Sequence, residues 1–156
     1  MSTAPGAFQT EFGYVDQLCE VTANTKRGTR GFILPPASRI GNPSENTLLP
    51  DTATELGALG VKLREIVLDG GFMATPTNTA LEGLADTVHI IGRQEQGSRR
   101  TRRRRQRYRT GAEGRISHLK RSYRLDRTRL KGDAGHQIWD GWATLTYNTD
   151  TYTTLK

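Results

Sequence analysis

The chain has 156 residues, 34% of them hydrophobic, a single cysteine and a formal net charge of +7 at pH 7. One domain with a core of its own fits that length. The lone Cys19 excludes an internal disulfide, and no apolar run approaches the ~20 residues needed to span a bilayer. The opening MSTAPGAFQT lacks the basic and apolar regions of a signal peptide, so a cytoplasmic protein without a membrane partner is expected.

Residues 1–10 are small and polar, and read as a disordered N-terminus. Phe12–Thr22 alternates as a half-buried strand does, with Val15, Cys19 and Val21 on one face. Turn residues fill Ala23–Arg30. Gly31–Leu34 is a short apolar strand that Pro35-Pro36 should stop, so the two strands read as a hairpin. Asn42–Ser44 opens a helix with Ser44 as N-cap. Leu48, Leu49, Thr52, Leu56 and Leu59 recur at helical spacing, and Pro50 belongs in a first turn or at a kink. Glu65–Leu68 is a buried-strand run that ends in Asp69-Gly70-Gly71. A short helix over Thr77–Leu84 and a second buried strand over Val88–Ile91 follow. Gly132–Tyr147 reads as the last helix, with Ile138, Trp142 and Leu145 at helical spacing. The tail 151–156 is Thr-rich. The whole is an α/β pattern with an antiparallel start and a parallel finish.

Between the last strand and the last helix lies Arg93–Lys131, which holds 16 of the 23 Lys and Arg residues, 3 of the 16 acids and a net charge of +13. Charge gathered in this way suits a nucleic-acid backbone. Arg99–Arg107 lacks the apolar face that a membrane-lying helix needs. Its first part, 93–107, reads as a basic linker and its second as a helix. On that helix Ile116, Leu119 and Tyr123 form an apolar stripe. Arg109, Glu113 and Lys120 sit beside it at i, i+4 and i+11, while Arg115, His118 and Arg121 point away. Glu113 is out of place for phosphate binding, since it repels the backbone unless a cation lies between. The competing reading is an i,i+4 ion pair with Arg109 on a solvated basic helix.

Asp69 stands where a buried strand meets a Gly-Gly turn, the end of a strand at which α/β proteins gather ligands. It could equally cap that turn. Paired with Glu113 it gains meaning. Phosphodiester chemistry is served by two Mg²⁺ or Mn²⁺ ions about 4 Å apart, held by about three carboxylates with basic residues around them. Asp16 could be a ligand but reads more simply as a hairpin-face residue. His89, His118 and His136 lie too far apart for a zinc set, and His89 reads as a core histidine. Trp139 and Trp142 read as core anchors. No phosphate-binding glycine loop and no Ser-His-Asp arrangement occurs.

These residues resemble the DDE transposases of bacterial insertion sequences over about Glu11 to Tyr152. EFGYVDQ, GNPSENTLL, REIVLDGGF, RTGAEGRISHLK and RLKGDAGHQIWDGWATLTYN each resemble a block of that family. The resemblance implies an RNase H-like fold and DNA transposition by metal-dependent cleavage and strand transfer, with Mg²⁺ or Mn²⁺ as cofactor. It implies catalytic, metal-holding roles for Asp69 and Glu113, and the Arg-x3-Glu-x6-Lys signature falls on Arg109, Glu113 and Lys120. DNA, as transposon end and target, is the implied partner, with a homo-oligomer and nucleoid association as further expectations. Phosphate contacts are expected from Arg109, Lys120, Arg99, Arg100, Arg102, Arg103, Arg104, Arg105, Arg115, His118 and Arg121.

The signature departs at Gln106, where the family's tyrosine would fall. The strand that carries the family's first catalytic Asp has no counterpart before Asp69, and Asp16 lies on the strand after it. The expectation is therefore an incomplete RNase H-like α/β fold over 11–150, a mixed sheet of about four strands packed by helices. It reads as a truncated, catalytically incomplete C-terminal part. The implied strand order 3-2-1-4-5 leaves the hairpin and the parallel pair either apart or paired across a gap of about 9.5 Å. The alternative is a non-catalytic basic nucleic-acid-binding module.

Overall fold

The computed structural model describes residues 13–23 and 30–155. The expectations for residues 1–10 and for most of the turn between the first two strands lie outside the described residues.

The N-terminal hairpin is longer than its apolar runs. Tyr14–Gln17 (β1) pairs antiparallel with Ala37–Ile40 (β4), placing Asp16 opposite Ser38. Further in, Glu20–Val21 (β2) pairs with Phe32–Ile33 (β3). Pro35-Pro36 interrupts the ladder, as expected of residues that cannot donate to it, but it does not end the pairing. Leu34 N–H donates to Cys19 C=O at 3.0 Å and joins the two segments.

Glu45–Ala58 (α1) starts at Ser44, whose hydroxyl accepts from the Asn46 N–H at 3.4 Å. Pro50 lies inside the helix rather than in its first turn. An interior proline costs roughly 3 kcal/mol. Burial of Leu48, Leu49 and Leu56, at about 2 kcal/mol each, outweighs that cost. Leu59 caps the helix and is exposed. Leu63–Leu68 (β5) and Ala85–Ile90 (β6) pair in parallel, and Ala74–Ala80 (α2) makes the crossover between them.

The chain is thus α/β, but the expected mixed sheet of about four strands is replaced by three two-stranded ladders among the described residues. Among the described residues no ladder joins the hairpin to β5 and β6. Side chains span the interval: Cys19, Val21 and Leu34 pack with Leu56, Leu81 and the β5 residues Leu63, Ile66 and Leu68. Burial and then the neighbouring Glu20 push the Cys19 thiol up to about 11, so it acts there as an apolar group.

Arg99–Tyr123 (α3) is one helix of 25 residues. The basic linker expected over 93–107 is therefore corrected, because most of it forms the first turns of α3. Arginine is a good helix former, and the Ser98 hydroxyl caps the start by accepting from Thr101 N–H at 3.3 Å. The helix ends at Arg124, which is left-handed at φ 60°, and the buried Leu125 donates its N–H back to Leu119 C=O. Leu119 is buried and Tyr123 half-buried, but Ile116 is exposed, so the inward face is rotated from the expected stripe.

Gly132–Thr154 (α4) runs through most of the expected tail. Its buried face is His136, Asp140, Ala143, Thr144, Tyr147 and Thr151. Ile138, Trp142 and Leu145 face outward, with Trp142 71% exposed, so Trp142 is not a core anchor. The period was legible, but the phase was not. Tyr147 is fully buried with Leu119, Leu125 and Ile33, and the Arg30 guanidinium covers its ring at 4.4 Å. Trp139 donates from Nε1 to Arg124 C=O at 2.8 Å, which ties α4 to the end of α3.

Candidate active site and nucleic-acid interface

Asp69 follows the last residue of β5, and its Oδ1 accepts the Gly70 N–H at 2.6 Å. The carboxylate caps the turn, and it also meets α3. Arg109 donates from Nε to Asp69 Oδ1 at 2.9 Å and from Nη2 to Oδ2 at 3.3 Å. Its Nη2 also lies 3.0 Å from Glu113 Oε1, one turn on. A residue from the end of a strand and one from the middle of a helix therefore converge on a single guanidinium. Burial pushes the Asp69 carboxyl upward, but the Arg109 bond, the Gly70 N–H and the Arg109 charge outweigh it and hold the group below its ordinary range. The two acids and the arginine are all partly open to solvent.

One further feature lies close by. A Cβ at Gly71 would stand 2.5 Å from Glu45 Oε2, so the glycine admits the first turn of α1 beside the Asp69 turn. Lys120 is exposed on α3, about 16 Å along the axis from Arg109.

The arginines of α3 divide into two faces. Arg99, Arg100, Arg102, Arg103 and Arg107 are exposed. Three of them, Arg99, Arg102 and Arg103, line a shallow groove with Glu95 and Gln106. Arg105 departs furthest from the expected phosphate contacts. It is buried, donating from Nε to Glu65 Oε1 at 2.6 Å, from Nη2 to His89 Nε2 at 2.6 Å, and from Nη1 to Gln96 C=O. Arg104 donates to the other Glu65 oxygen at 2.7 Å. Arg115 and His118, expected to point away, also turn inward. Arg115 pairs with Glu20 of β2, and the His118 ring lies edge-on to Tyr123 at 5.3 Å and to Tyr147 at 6.4 Å. Arg121 stays exposed.

A family model described as Transposase DDE domain matches residues 31–149, about three quarters of the chain. The chain belongs to the DDE transposases. No curated protein and no solved structure matches it. The matched stretch of this DDE transposase takes in Asp69, Arg109 and Glu113. Among its described residues, no helix is long and apolar enough to cross a membrane.

Among the described residues of the transposase, three metal-ligand side chains converge in one place, and Asp69 is not one of them. His136 Nε2 lies 2.8 Å from Asp16 Oδ1 and 2.9 Å from Asp140 Oδ2. The Ser38 hydroxyl reaches both acids, at 2.6 Å and 3.3 Å, and the Tyr14 ring stacks on the imidazole at 3.9 Å. Burial and then the Asp16 charge push the Asp140 carboxyl up to about 6. The i,i+4 spacing of His136 and Asp140 was readable on the last helix. Asp16, 120 positions earlier, was not recognisable as their partner.

Proposed function

We propose that this chain is the DNA-holding part of a transposase catalytic domain built on an RNase H-like plan. In this reading Asp69 and Glu113 are the metal-holding carboxylates, and Arg99, Arg100, Arg102, Arg103, Arg109, Lys120 and Arg121 contact the phosphate backbone. The observation that carries it is the convergence of Asp69 and Glu113 on Arg109 beside the exposed arginine face. Membership of the family implies dependence on a divalent metal. The donor set fits Mg²⁺ or Mn²⁺, since two accessible carboxylates offer the hard oxygens such ions take. Arg109 supports the same reading. Its guanidinium now neutralises both acids, and it is free to turn toward phosphate once another cation takes that role.

Asp69 and Glu113 would hold a divalent ion there, and the chemistry it would supply is that of a Lewis acid toward phosphate oxygens. The chain's own residues do the rest. Gly70 N–H orients Asp69, α3 holds Glu113 on the same side as Arg109, and the outward arginines fix the duplex by its phosphates.

A second reading is favoured by one observation. Two carboxylates meet at Arg109, and no third metal ligand joins them among the described residues. We therefore infer that the chain by itself binds DNA without cutting it, and that Glu113 then serves mainly as an ion-pair partner.

Duplex binding measured with and without Mn²⁺ tests both readings, using the wild type, an Asp69→Ala/Glu113→Ala double variant and an Arg102→Ala/Arg103→Ala double variant. If the carboxylates hold metal, Mn²⁺ tightens DNA binding by the wild type and not by the acid variant. The acid variant should bind somewhat better than wild type without metal, having lost two negative charges. An equal Mn²⁺ effect in both would reject the metal role and leave the basic module. DNA affinity unchanged in the arginine variant would reject both readings.

A further inference from the structure

We propose that Asp16, His136 and Asp140 form a second metal site, one that takes a single borderline transition cation such as Zn²⁺ and clamps the C-terminal helix onto the hairpin. It includes neither Asp69 nor Glu113 and does not depend on their role.

The ligand atoms are already gathered. The imidazole Nε2 is 2.8 Å and 2.9 Å from the two carboxylate oxygens, and all three atoms lie within 4.8 Å of one another. Three ligands each about 2.1 Å from one cation stand about 3.0–3.4 Å apart, so the two distances from His136 need to open by only a few tenths of an ångström. His136 and Asp140 share one face of α4 at i,i+4, and Asp16 reaches them from β1, where Ser38 of β4 braces it from the opposite register position. Tyr14 stacks on the His136 ring with an interplanar angle of 14° and fixes its plane.

Charge and burial supply the independent reason. The side chains of Asp16, His136 and Asp140 are 16%, 7% and 2% exposed. Among the described residues neither carboxylate has a lysine or arginine partner in an ion pair or hydrogen bond, in a chain that carries 23 such residues. One imidazole cannot neutralise two buried acids, and a divalent cation would. Asp140 Oδ1 is moreover buried with no hydrogen-bond partner, which leaves an anionic oxygen uncompensated. One imidazole with two carboxylates suits Zn²⁺ or Mn²⁺ better than Mg²⁺, which seldom takes a nitrogen ligand.

The full chain, stripped with EDTA, is titrated with Zn²⁺ by calorimetry and melted with and without it. One equivalent should bind and raise Tm. Affinity should fall more than about 10-fold in Asp140→Asn and in His136→Gln, because losing a ligand costs at least what losing its support does. It should persist in the Asp69→Ala/Glu113→Ala double variant. Should the cluster variants fail to fold, the wild type alone decides. Zn²⁺ must then shift the ring ¹⁵N resonances of His136 while those of His89 and His118 stay in place. Absence of Zn²⁺ binding, binding that vanishes with Asp69 and Glu113, or a shift at the other histidines would overturn the proposal. Each would leave the cluster as a hydrogen-bonded clasp that shares a proton.

Discussion

Arg105 Nε donates to Glu65 Oε1 at 2.6 Å, across 40 positions of sequence. In a tract of arginines, this one points into the protein. It joins α3 to β5 and, through Nη2, to the buried His89 on β6. The tract is therefore a structural strut on one side and an exposed basic face on the other.

Replacing Arg105 by Ala should cost about 3 kcal/mol of folding free energy, because it strands a half-buried Glu65 and a buried His89. Arg103→Ala, on the exposed face, should leave stability within about 0.5 kcal/mol and weaken DNA binding. Urea denaturation and duplex titration of the two variants separate the roles. Equal stability losses would show that the tract has no inner face.

The same network sets a pH dependence. Burial raises the Glu65 carboxyl, but its bond to Arg105 and the charges of Arg105, Arg104 and His89 outweigh burial and leave it below its ordinary 4.5. Burial and then the Arg105 charge hold His89 below 6.5. In both cases the unfolded chain takes up the proton more readily. The His89 contribution is present above pH 6.5 and is lost as pH falls below it. The Glu65 contribution is present above 4.5 and is lost as pH falls through the folded value. Melting from pH 8 to 3 should show the difference between wild type and His89→Gln shrinking below 6.5, and that for Glu65→Gln shrinking below 4.5. Differences that stay constant with pH would refute the assignment.

DNA binding should be electrostatic and weakly sequence-dependent, since an arginine face offers phosphate contacts in quantity. With about 6 phosphates neutralised, log K against log salt should slope by about −5. The Arg102→Ala/Arg103→Ala variant should reduce the slope by about 2. An affinity insensitive to salt would remove the arginine face as the binding surface.

Gly31→Ala should destabilise the hairpin by about 2 kcal/mol. A Cβ there would collide with the Val21 carbonyl oxygen, a backbone atom held in the β2–β3 ladder, as well as with the Thr22 and Glu20 side chains. By contrast, Gly114→Ala on α3 meets nothing within 4 Å and should stabilise the helix slightly. Thermal melts that rank the two variants the other way round would show the hairpin to be unimportant for stability.

The sequence by itself determined the α/β class, the hairpin before the parallel pair, the Ser44-capped helix and the placing of Asp69 and Glu113. These rest on local signals: proline and glycine punctuation, apolar runs of strand length, and carboxylates at a strand end or inside a basic helix. Arg109 and Glu113 were legible as neighbours because i and i+4 always share a helix face. Only the tertiary structure decided which way each face turned. Period fixes a stripe but not its phase, so Ile116, Trp142 and Leu145 went outward, while Arg105, Arg115 and Asp140 went in. A charged side chain turns inward where a partner waits for it, such as Glu65 for Arg105, Glu20 for Arg115 and His136 for Asp140. Those first two partners lie on strands remote in sequence, and so does Asp16, which completes the His136 cluster from 120 positions away. Nothing in the spacing of a single chain encodes such a meeting; it exists only once β1, β2, β5 and the two long helices have packed.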